Sequence, residues 1–290
     1  MAEAKFIYVN GEFLSLNEPH LSALDRGLTL GDGVFETMRC RGDCIFRLEA
    51  HLSRLRKSSA AIHLPLPHSE AQFSRIIKAT LTRNDLQDAV VRLTISRGVP
   101  SHRGLAIPEL TKASIVVHAM PFTLLPASFY QKGISAIFAT IRRNEHSPLA
   151  YVKSCNYLDN VLAREEASQK GADDAIMLNT AGYVACATSS NLFLIKAGTL
   201  VTPSLDCGVL AGVTRSVVFE TAEELAIKIQ ERPIAKFELD DVEEAFVTNT
   251  VLGIMPLTHI DGKPVSDGNP GPITRQLAEH YEHLLAREIG

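Results

Sequence analysis

Three short segments carry residue types that suit the binding of a phosphate group. The segment G-V-T-R at 212–215 opens a predicted helix, where backbone N–H groups, the helix dipole and a threonine hydroxyl favour an anion. The segment T-N-T at 248–250 ends a predicted strand and offers two hydroxyls. Arg54 follows His51 on a predicted helix, and its guanidinium can hold a phosphate bidentately. Each segment taken alone also fits an ordinary helix N-terminus or a solvated helix face.

Lys153 is the candidate for nucleophilic chemistry, and it precedes a predicted helix. A lysine in such a place is usually an exposed surface charge. Its spacing from other residues does not distinguish Lys153 from an ordinary surface lysine. A chemical role for Lys153 therefore depends on the combination of segments around it.

Turn signals and hydrophobic periodicity predict the elements that position these segments. Asn10-Gly11 favours a type I′ turn and so predicts a hairpin. The predicted strands are 6–9, 12–14, 34–40, 44–46, 90–96, 113–119, 134–139, 175–178, 183–185, 191–195, 200–202 and 245–248. The predicted helices are 48–62, 160–170, 214–229 and 272–288.

The order of these elements predicts an α+β fold. Short strands and helices are mixed without the regular βαβ alternation that a doubly wound sheet requires. Residues 120–130 contain two prolines and no strong period, so we place an interdomain linker there. This divides the chain into an N-terminal α+β domain at 1–119 and a C-terminal domain at 131–290.

Composition excludes several classes of partner. The apolar fraction of 46% supplies a sizeable core, and a net charge of −4 with scattered basic residues argues against nucleic acid. No apolar run reaches the length of a membrane span, and the N-terminus lacks a secretory signal pattern, so we expect a cytoplasmic protein without a membrane partner. Five cysteines without a C-x-x-C pair predict neither a disulfide framework nor a metal site.

Longer motifs add a family resemblance. They are D-R-G-L-T-L-G-D-G-V-F-E-T-M-R at 25–39, E-A-H-L-S-R-L at 49–55, H-S-P-L-A-Y-V-K-S-C-N-Y-L-D-N-V-L-A-R-E-E-A at 146–167, N-L-F at 191–193, G-V-T-R at 212–215 and T-N-T-V-L-G-I-M-P at 248–256. In this order the chain resembles the class IV, fold type IV, pyridoxal 5'-phosphate (PLP)-dependent enzymes. That family includes branched-chain and D-amino acid aminotransferases and aminodeoxychorismate lyase.

The resemblance covers nearly the whole chain and implies a fold, a cofactor and partners. It implies a two-domain fold of type IV, with a smaller N-terminal domain and a larger, PLP-binding C-terminal domain that contains a mixed sheet. It also implies PLP as cofactor, a small-molecule amino donor, a keto-acid acceptor and a homodimer.

The resemblance also assigns roles to individual residues. Lys153 matches the catalytic Schiff-base lysine, which binds the cofactor aldehyde and then moves the proton at the substrate Cα. The cofactor-binding residues that it implies, besides Lys153, are Arg54, Tyr157, Cys186, Val213, Thr214 and Thr250. The implied substrate-binding residues are Phe35, Arg39, Arg97 and Arg103. Core packing remains the alternative for Tyr157, and a surface or structural role remains open for the three arginines.

Cys186 departs from the family pattern. Members usually carry a glutamate five residues before the Asn of N-L-F, and that carboxylate keeps the pyridine nitrogen of the cofactor protonated. Counting back from Asn191 gives Cys186 without a gap. A thiolate could replace the carboxylate, the ring could work unprotonated as a weaker electron sink, or the protein could bind PLP with little turnover. We favour the unprotonated ring.

The motifs leave two reactions open. G-I-M-P at 253–256 and the S-R-G-V-P-S-H-R-G segment at 96–104 favour the lyase, which eliminates pyruvate from aminodeoxychorismate. Thr250 and the K-S-C-N-Y-L segment at 153–158 fit aminotransferases equally well. We predict an aminotransferase, because that reaction is the commoner one in the family, with the lyase as the alternative. A PLP-binding protein with little or no catalysis is the third possibility.

Overall fold

The computed structural model describes residues 5–18, 20–102, 104–109 and 111–289. These residues group into two compact units. The first unit comprises Met1–Thr123, Val152–Asn156 and Arg287–Gly290, and the second comprises Leu124–Tyr151 and Tyr157–Ala286. The first unit thus includes two segments that sequence analysis assigned to the C-terminal domain. The predicted division of the chain into two continuous domains stays a prediction.

The first unit contains a six-stranded antiparallel sheet with the order β2-β1-β6-β5-β3-β4. Its strands are β1 (Phe6–Val9), β2 (Glu12–Ser15), β3 (Gly33–Arg41), β4 (Cys44–Ile45), β5 (Asp88–Ser96) and β6 (Ser114–Pro121). Asn10 and Gly11 both have positive φ angles, of 53° and 111°, as a type I′ turn requires. The predicted hairpin at β1 and β2 is therefore confirmed.

Three helices accompany this sheet: α1 (Arg26–Leu30), α2 (Leu48–Ala61) and α3 (Glu70–Asn84). The core lies between α2, α3 and one face of the sheet, where alternate residues of β3 such as Val34 and Met38 are fully buried. Phe35, Thr37 and Arg39 therefore point to the opposite face. Sequence analysis missed α3, although Ser69 and the residue three positions later form a capping box at its start.

The second unit contains a nine-stranded mixed sheet, with the order β12-β11-β10-β13-β14-β7-β8-β9 and with β15 paired to β14. Its strands are β7 (Ile134–Phe138), β8 (Asp174–Leu178), β9 (Val184–Ala187), β10 (Asn191–Lys196), β11 (Thr199–Pro203), β12 (Ile229–Arg232), β13 (Glu244–Asn249), β14 (Gly253–Ile260) and β15 (Lys263–Pro264). The α-helices described in this part of the chain are α4 (Ala127–Lys132), α5 (Leu158–Gln169), α6 (Val213–Glu224) and α7 (Pro272–Ile289). The helices and the two sheets confirm the predicted α+β class.

One prediction about local structure was wrong. The helix predicted to end at residue 229 ends at Glu224, because Ala226 takes a left-handed φ of 54° and Ile229 begins β12, which pairs in parallel with β11. Helix α4 begins at Ala127, within the segment at 120–130, and the assignment of that segment as an interdomain linker stays a prediction. Sequence analysis also missed β14, although it is a long and almost wholly buried strand.

Candidate active site

Helix α2 presents three polar side chains along one side. His51, Arg54 and Ser58 are three and four residues apart, which places them one above the other on a helix. Leu52 and Leu55 of the same helix are buried in the core. The Ser58 Oγ accepts a hydrogen bond of 3.2 Å from the backbone N–H of Lys153, a residue 95 positions later in the chain. One helix therefore joins the predicted phosphate-binding arginine to the backbone of the predicted catalytic lysine.

Glu36 of β3 holds Arg54 and His51 together. Its Oε1 accepts from Arg54 Nε at 2.8 Å, and its Oε2 accepts from Arg54 Nη2 at 2.7 Å and from His51 Nδ1 at 2.8 Å. Burial by itself raises the pKa of Glu36, but the charge and hydrogen bonds of Arg54, with the bond from His51, lower that pKa to about 2. Burial lowers the pKa of His51 and outweighs the Glu36 carboxylate, which raises it. His51 is therefore a neutral imidazole beside an ionised carboxylate.

Lys153 lies in a short segment that hydrogen-bonds with β3. The backbone N–H of Phe35 donates to the Lys153 carbonyl at 3.0 Å, and that of Cys155 donates to the Gly33 carbonyl at 2.9 Å. The Lys153 Nζ lies 4.5 Å from the centroid of the Phe35 ring. Burial lowers the pKa of Lys153, Arg54 and Arg92 also lower it, and Glu36 raises it; together these effects place the pKa at about 8. An amine with this pKa is nucleophilic near neutral pH.

Arg92 of β5 is a site residue that sequence analysis missed. Its Cζ lies 3.6 Å from the centroid of the same Phe35 ring that Lys153 approaches, and its Nε donates to Thr94 Oγ1 at 3.2 Å. Arg92 stands directly opposite Thr37 in the antiparallel pairing of β5 with β3. It therefore shares the sheet face of Phe35 and makes that face electropositive. Only the strand register reveals this placement.

Among the other predicted substrate residues, Phe35 and Arg39 have different surroundings. Phe35 is buried beside the Lys153 amine. Arg39 lies on the same sheet face, but its guanidinium stacks on Phe122, with Cζ 3.8 Å from the ring centroid. Arg103 lies outside the described residues. For all three, substrate binding stays a prediction.

Arg97 is a buried structural arginine. It donates four hydrogen bonds, two to the Asp32 carboxylate and one each to the carbonyls of Ile62 and His63. Arg26 also donates to Asp32, at 2.8 Å. Arg97 directly follows β5, so these bonds connect the end of β5 to Asp32 and to the loop after α2. They favour the structural alternative for Arg97, and its role in substrate binding stays a prediction.

In the second unit, strand pairing brings three of the sequence motifs together. Asn191 begins β10 and stands opposite Thr248 of β13. The Asn191 Nδ2 donates to the Leu210 carbonyl at 2.9 Å, just before the G-V-T-R segment. A Cβ atom at Gly212 would collide with Asn191 Oδ1, so a larger residue there would displace the Asn191 side chain. The N-L-F, G-V-T-R and T-N-T motifs therefore meet at one end of the paired strands.

The predicted phosphate-binding residues of this unit lie at that meeting point. Helix α6 begins at Val213, and among the described residues no side chain caps its N-terminus. Val213 and Thr214 are buried, and Thr250 follows the end of β13. The Thr248 Oγ1 is buried without a hydrogen-bond partner among the described residues. Uncapped N–H groups and a buried hydroxyl without a partner are what an anion-binding turn supplies.

Cys186 lies on β9 opposite Met177 of β8, and its thiol is buried. Burial raises the pKa of this thiol and outweighs Arg143, which lowers it; Asp174 raises it as well. The thiol is therefore neutral at physiological pH. Tyr157, the remaining predicted cofactor contact, is half-buried and immediately precedes α5. A contact between either residue and the cofactor stays a prediction.

Several general features of the described residues bear on other kinds of site. All five cysteines are free thiols. Within the described ranges, no group of three His, Cys, Asp or Glu side chains is arranged to hold a metal ion. No helix in the same ranges combines the length and the apolar character needed to cross a membrane.

Comparison with known protein families gives a match over most of the chain. The sequence model described as amino-transferase class IV matches residues 33–260. The chain is 35% identical to a Methanocaldococcus jannaschii protein named "Putative branched-chain-amino-acid aminotransferase", over 97% of this chain and 96% of the relative. It is 30% identical to a D-alanine aminotransferase of Listeria monocytogenes, over 98% of this chain and 97% of the relative.

Solved structures give the same result. The branched-chain amino acid aminotransferase of Escherichia coli superposes with a TM-score of 0.93 at 27% identity, covering 99% of this chain and 96% of the other. The branched-chain amino acid aminotransferase of Thermoproteus uzoniensis, with norvaline, has a TM-score of 0.88, 30% identity and coverages of 98% and 95%. A Legionella pneumophila structure described as a "Putative 4-amino-4-deoxychorismate lyase" has a TM-score of 0.84, 26% identity and coverages of 94% and 97%. A further branched-chain enzyme, with a TM-score of 0.91, was solved with pyridoxamine 5'-phosphate.

Proposed function

Because the chain belongs to the class IV aminotransferase family, we propose that it transfers the amino group of a small amino acid or amine to a keto acid, using PLP attached to Lys153. The chain is an enzyme, its fold is the fold type IV of that family, and PLP is its cofactor. The donor, the acceptor and the role of each residue are the proposal.

The Lys153 amine is the observation that carries the proposal. A lysine forms a covalent bond with an aldehyde only as the neutral amine, and a pKa of about 8 makes that form available near neutral pH. Arg54 and Arg92 both lie close enough to Lys153 for their positive charges to lower its pKa, and such charge near the amine suits a phosphorylated cofactor and a carboxylate substrate. The residues present in the first unit therefore fit PLP.

The second unit supplies the other residues assigned to the cofactor. Val213, Thr214 and Thr250 would hold its phosphate, with the uncapped start of α6 contributing backbone N–H groups. The buried Thr248 hydroxyl, which has no partner among the described residues, supports a polar ligand at this turn. Tyr157 would hydrogen-bond the phenolic oxygen of the ring.

Bound PLP supplies an electron sink for the electron pair left when the substrate Cα loses its proton. The residues of this chain do the remaining work. Lys153 Nζ holds the cofactor covalently, and after the substrate amine displaces it, the freed amine moves the proton at Cα. The Phe35 ring beside Nζ excludes water from the amine.

Cys186 limits how strong that electron sink is. The raised pKa of its buried thiol supports a neutral group at the position where the family resemblance implies a carboxylate. Of the three alternatives, the thiolate is therefore the least favoured. We propose that the ring nitrogen works without an anionic partner from position 186, which gives a weaker electron sink than in the glutamate-bearing members.

Arg92 is the proposed contact for a substrate carboxylate. A substrate amine that replaces Lys153 Nζ lies near the Phe35 ring, on which the Arg92 guanidinium is stacked. A guanidinium can bind a carboxylate with two parallel hydrogen bonds. Phe35 would contact the apolar part of the same substrate, whereas Arg39, stacked on Phe122, is the weaker candidate.

The test begins with the cofactor. Borohydride reduction after addition of PLP, followed by peptide mapping, should place the label on Lys153, and Lys153→Ala should remove it. A panel of L- and D-amino acids should then release the matching keto acids and change the absorbance of the bound cofactor. A label on another lysine, or no label, contradicts the proposed site.

Aminodeoxychorismate lyase is the second candidate function, because the chain is also similar in structure to the Legionella pneumophila protein described under that activity. Pyruvate release from aminodeoxychorismate, with no keto acid formed from any amino donor, would replace the aminotransferase by the lyase. A labelled Lys153 with neither activity would leave a PLP-binding protein with little turnover.

We also propose that the protein is a homodimer. The first unit exposes large apolar side chains on and near α1 and the loop after β5, including Leu24 (68% exposed), Leu28 (74%) and Leu105 (82%). Such a cluster is costly in water and suits a protein interface. Sedimentation equilibrium should give twice the mass of the chain, and the monomer mass at all concentrations contradicts the proposal.

A further inference from the structure

We propose that Glu36 and His51 form a positioning pair that orients the Arg54 guanidinium toward the phosphate of the cofactor. The inference rests on the proposed function, in which Arg54 binds that phosphate. It assigns work to two buried residues that do not themselves touch the cofactor.

The geometry of the Arg54 guanidinium supports this role for Glu36. Glu36 accepts from Nε and Nη2, which form one edge of the planar group. A bidentate pair of this kind fixes the plane of the guanidinium as well as its position. A phosphate must therefore approach the other edge, formed by Nη1 and the second N–H of Nη2. Glu36 thus determines which donors of Arg54 the phosphate meets, and in which direction they point.

Glu36, His51 and Arg54 differ in how deeply their side chains are buried. Glu36 and His51 are both 0% exposed, whereas Arg54 keeps 13% exposure. Arg54 is therefore the member of this cluster that reaches the surface and can meet a ligand. The two fully buried groups can act on a ligand only through it.

Burial of the His51 imidazole has a free-energy cost. Its Nδ1 donates to Glu36, but its Nε2 is buried without a hydrogen-bond partner among the described residues. A buried nitrogen without a partner is unfavourable, so packing alone does not explain a histidine there. The bond to Oε2 is the contact that the residue gains. It prevents the Glu36 carboxylate from rotating away from Arg54.

Charge alone predicts the opposite effect of Glu36. A carboxylate behind Arg54 offsets part of its positive charge and repels an anionic phosphate. If charge decided the affinity, removal of the Glu36 charge would tighten phosphate binding. If orientation decides it, the same change weakens binding. The two possibilities therefore differ in sign.

The experiment measures the affinity of the protein for PLP and for pyridoxal, which lacks the phosphate. Both molecules can react with Lys153. The ratio of the affinity for PLP to the affinity for pyridoxal therefore isolates the contribution of the phosphate. Glu36→Gln should lower this ratio about tenfold or more, as loss of a supporting hydrogen-bond partner typically does at a bound ion. In an Arg54→Gln background, Glu36→Gln should have no further effect on the ratio. The matched control is Glu244→Gln, which removes a carboxylate of similar burial in the second unit and should leave the ratio unchanged.

An unchanged or increased ratio in a folded Glu36→Gln protein overturns the inference. If Glu36→Gln fails to fold by circular dichroism, His51→Leu provides the same test, because it removes the bond to Glu36 and leaves both charges. An unchanged ratio in His51→Leu then overturns the inference. Failure of the wild-type protein to attach PLP to Lys153 would instead refute the proposed function.

Discussion

The Lys153 amine should lose its proton near pH 8 in the cofactor-free protein. Burial and two neighbouring arginines lower its pKa from 10.5 to about 8, which corresponds to about 3.4 kcal/mol against the charged form. At pH 7 roughly one amine in ten is then neutral, against roughly three in ten thousand for an ordinary lysine. The amine should thus react about 300-fold faster with an uncharged electrophile than an ordinary lysine of equal accessibility.

Pulse labelling with an amine-reactive reagent, followed by quantitative peptide mass spectrometry, measures this directly. Lys57, an exposed lysine of α2, provides the internal reference for the reagent at each pH. The rate at Lys153 should reach half its maximum near pH 8. A midpoint near 10.5 would refute the argument that burial and charge activate this amine.

The same shift predicts how stability depends on pH. Between about pH 8 and pH 10.5 the unfolded chain keeps the Lys153 proton and the folded chain does not. The contribution of Lys153 to the free energy of unfolding of the cofactor-free protein should therefore increase as the pH rises through this window. Denaturant titrations of the wild type and of Lys153→Met measure the difference, and a contribution that falls with rising pH contradicts the assignment.

Three further predictions concern single residues. Cys186→Glu should raise the pKa of the bound pyridine nitrogen by about two units, or about 2.7 kcal/mol, and should change the absorbance of the bound cofactor. An unchanged spectrum and an unchanged rate mean that position 186 does not contact the ring. Arg92→Gln should raise KM for the amino acid about tenfold or more while PLP affinity stays the same, because a bidentate carboxylate contact is lost; steady-state kinetics checks this, and an unchanged KM excludes the contact. Glu244→Gln should lower the free energy of unfolding by about 1–3 kcal/mol, because the Glu244 carboxylate accepts hydrogen bonds from the backbone N–H groups of Ile273 and Thr274 at the start of α7. A thermal melt measures the change, and an unchanged Tm contradicts the prediction.

Local patterns in the sequence predicted much of the fold. The Asn10-Gly11 turn and the apolar period of α2 depend on neighbouring residues, and both predictions were confirmed. Helix α3 was missed although Phe73, Ile77 and Leu81 recur every four residues on one buried face. Its signal was present in the sequence. The end of α6 was not predictable in this way, because β12 forms only by pairing with β11.

The candidate site was less accessible to such reasoning. Arg54 was a candidate from its residue type alone, but that reading fitted a solvated helix face equally well, and Lys153 gained its role only through the family resemblance. Arg92 becomes visible only when the register of β5 against β3 is known. The bond between Glu36 and His51 likewise joins a strand to a helix. Sequence patterns predict which face of an element is buried, but they do not predict which polar groups meet across two elements.

The placement of Val152–Asn156 in the first unit has a consequence for the order of folding. The chain is synthesised from its N-terminus, so β3 and α2 emerge well before the segment that hydrogen-bonds with them. Contacts across such a separation form late, because the long intervening loop must first close. A nascent or partly folded chain therefore holds Lys153 as an ordinary, protonated lysine. The reactive amine therefore arises only when these contacts have formed.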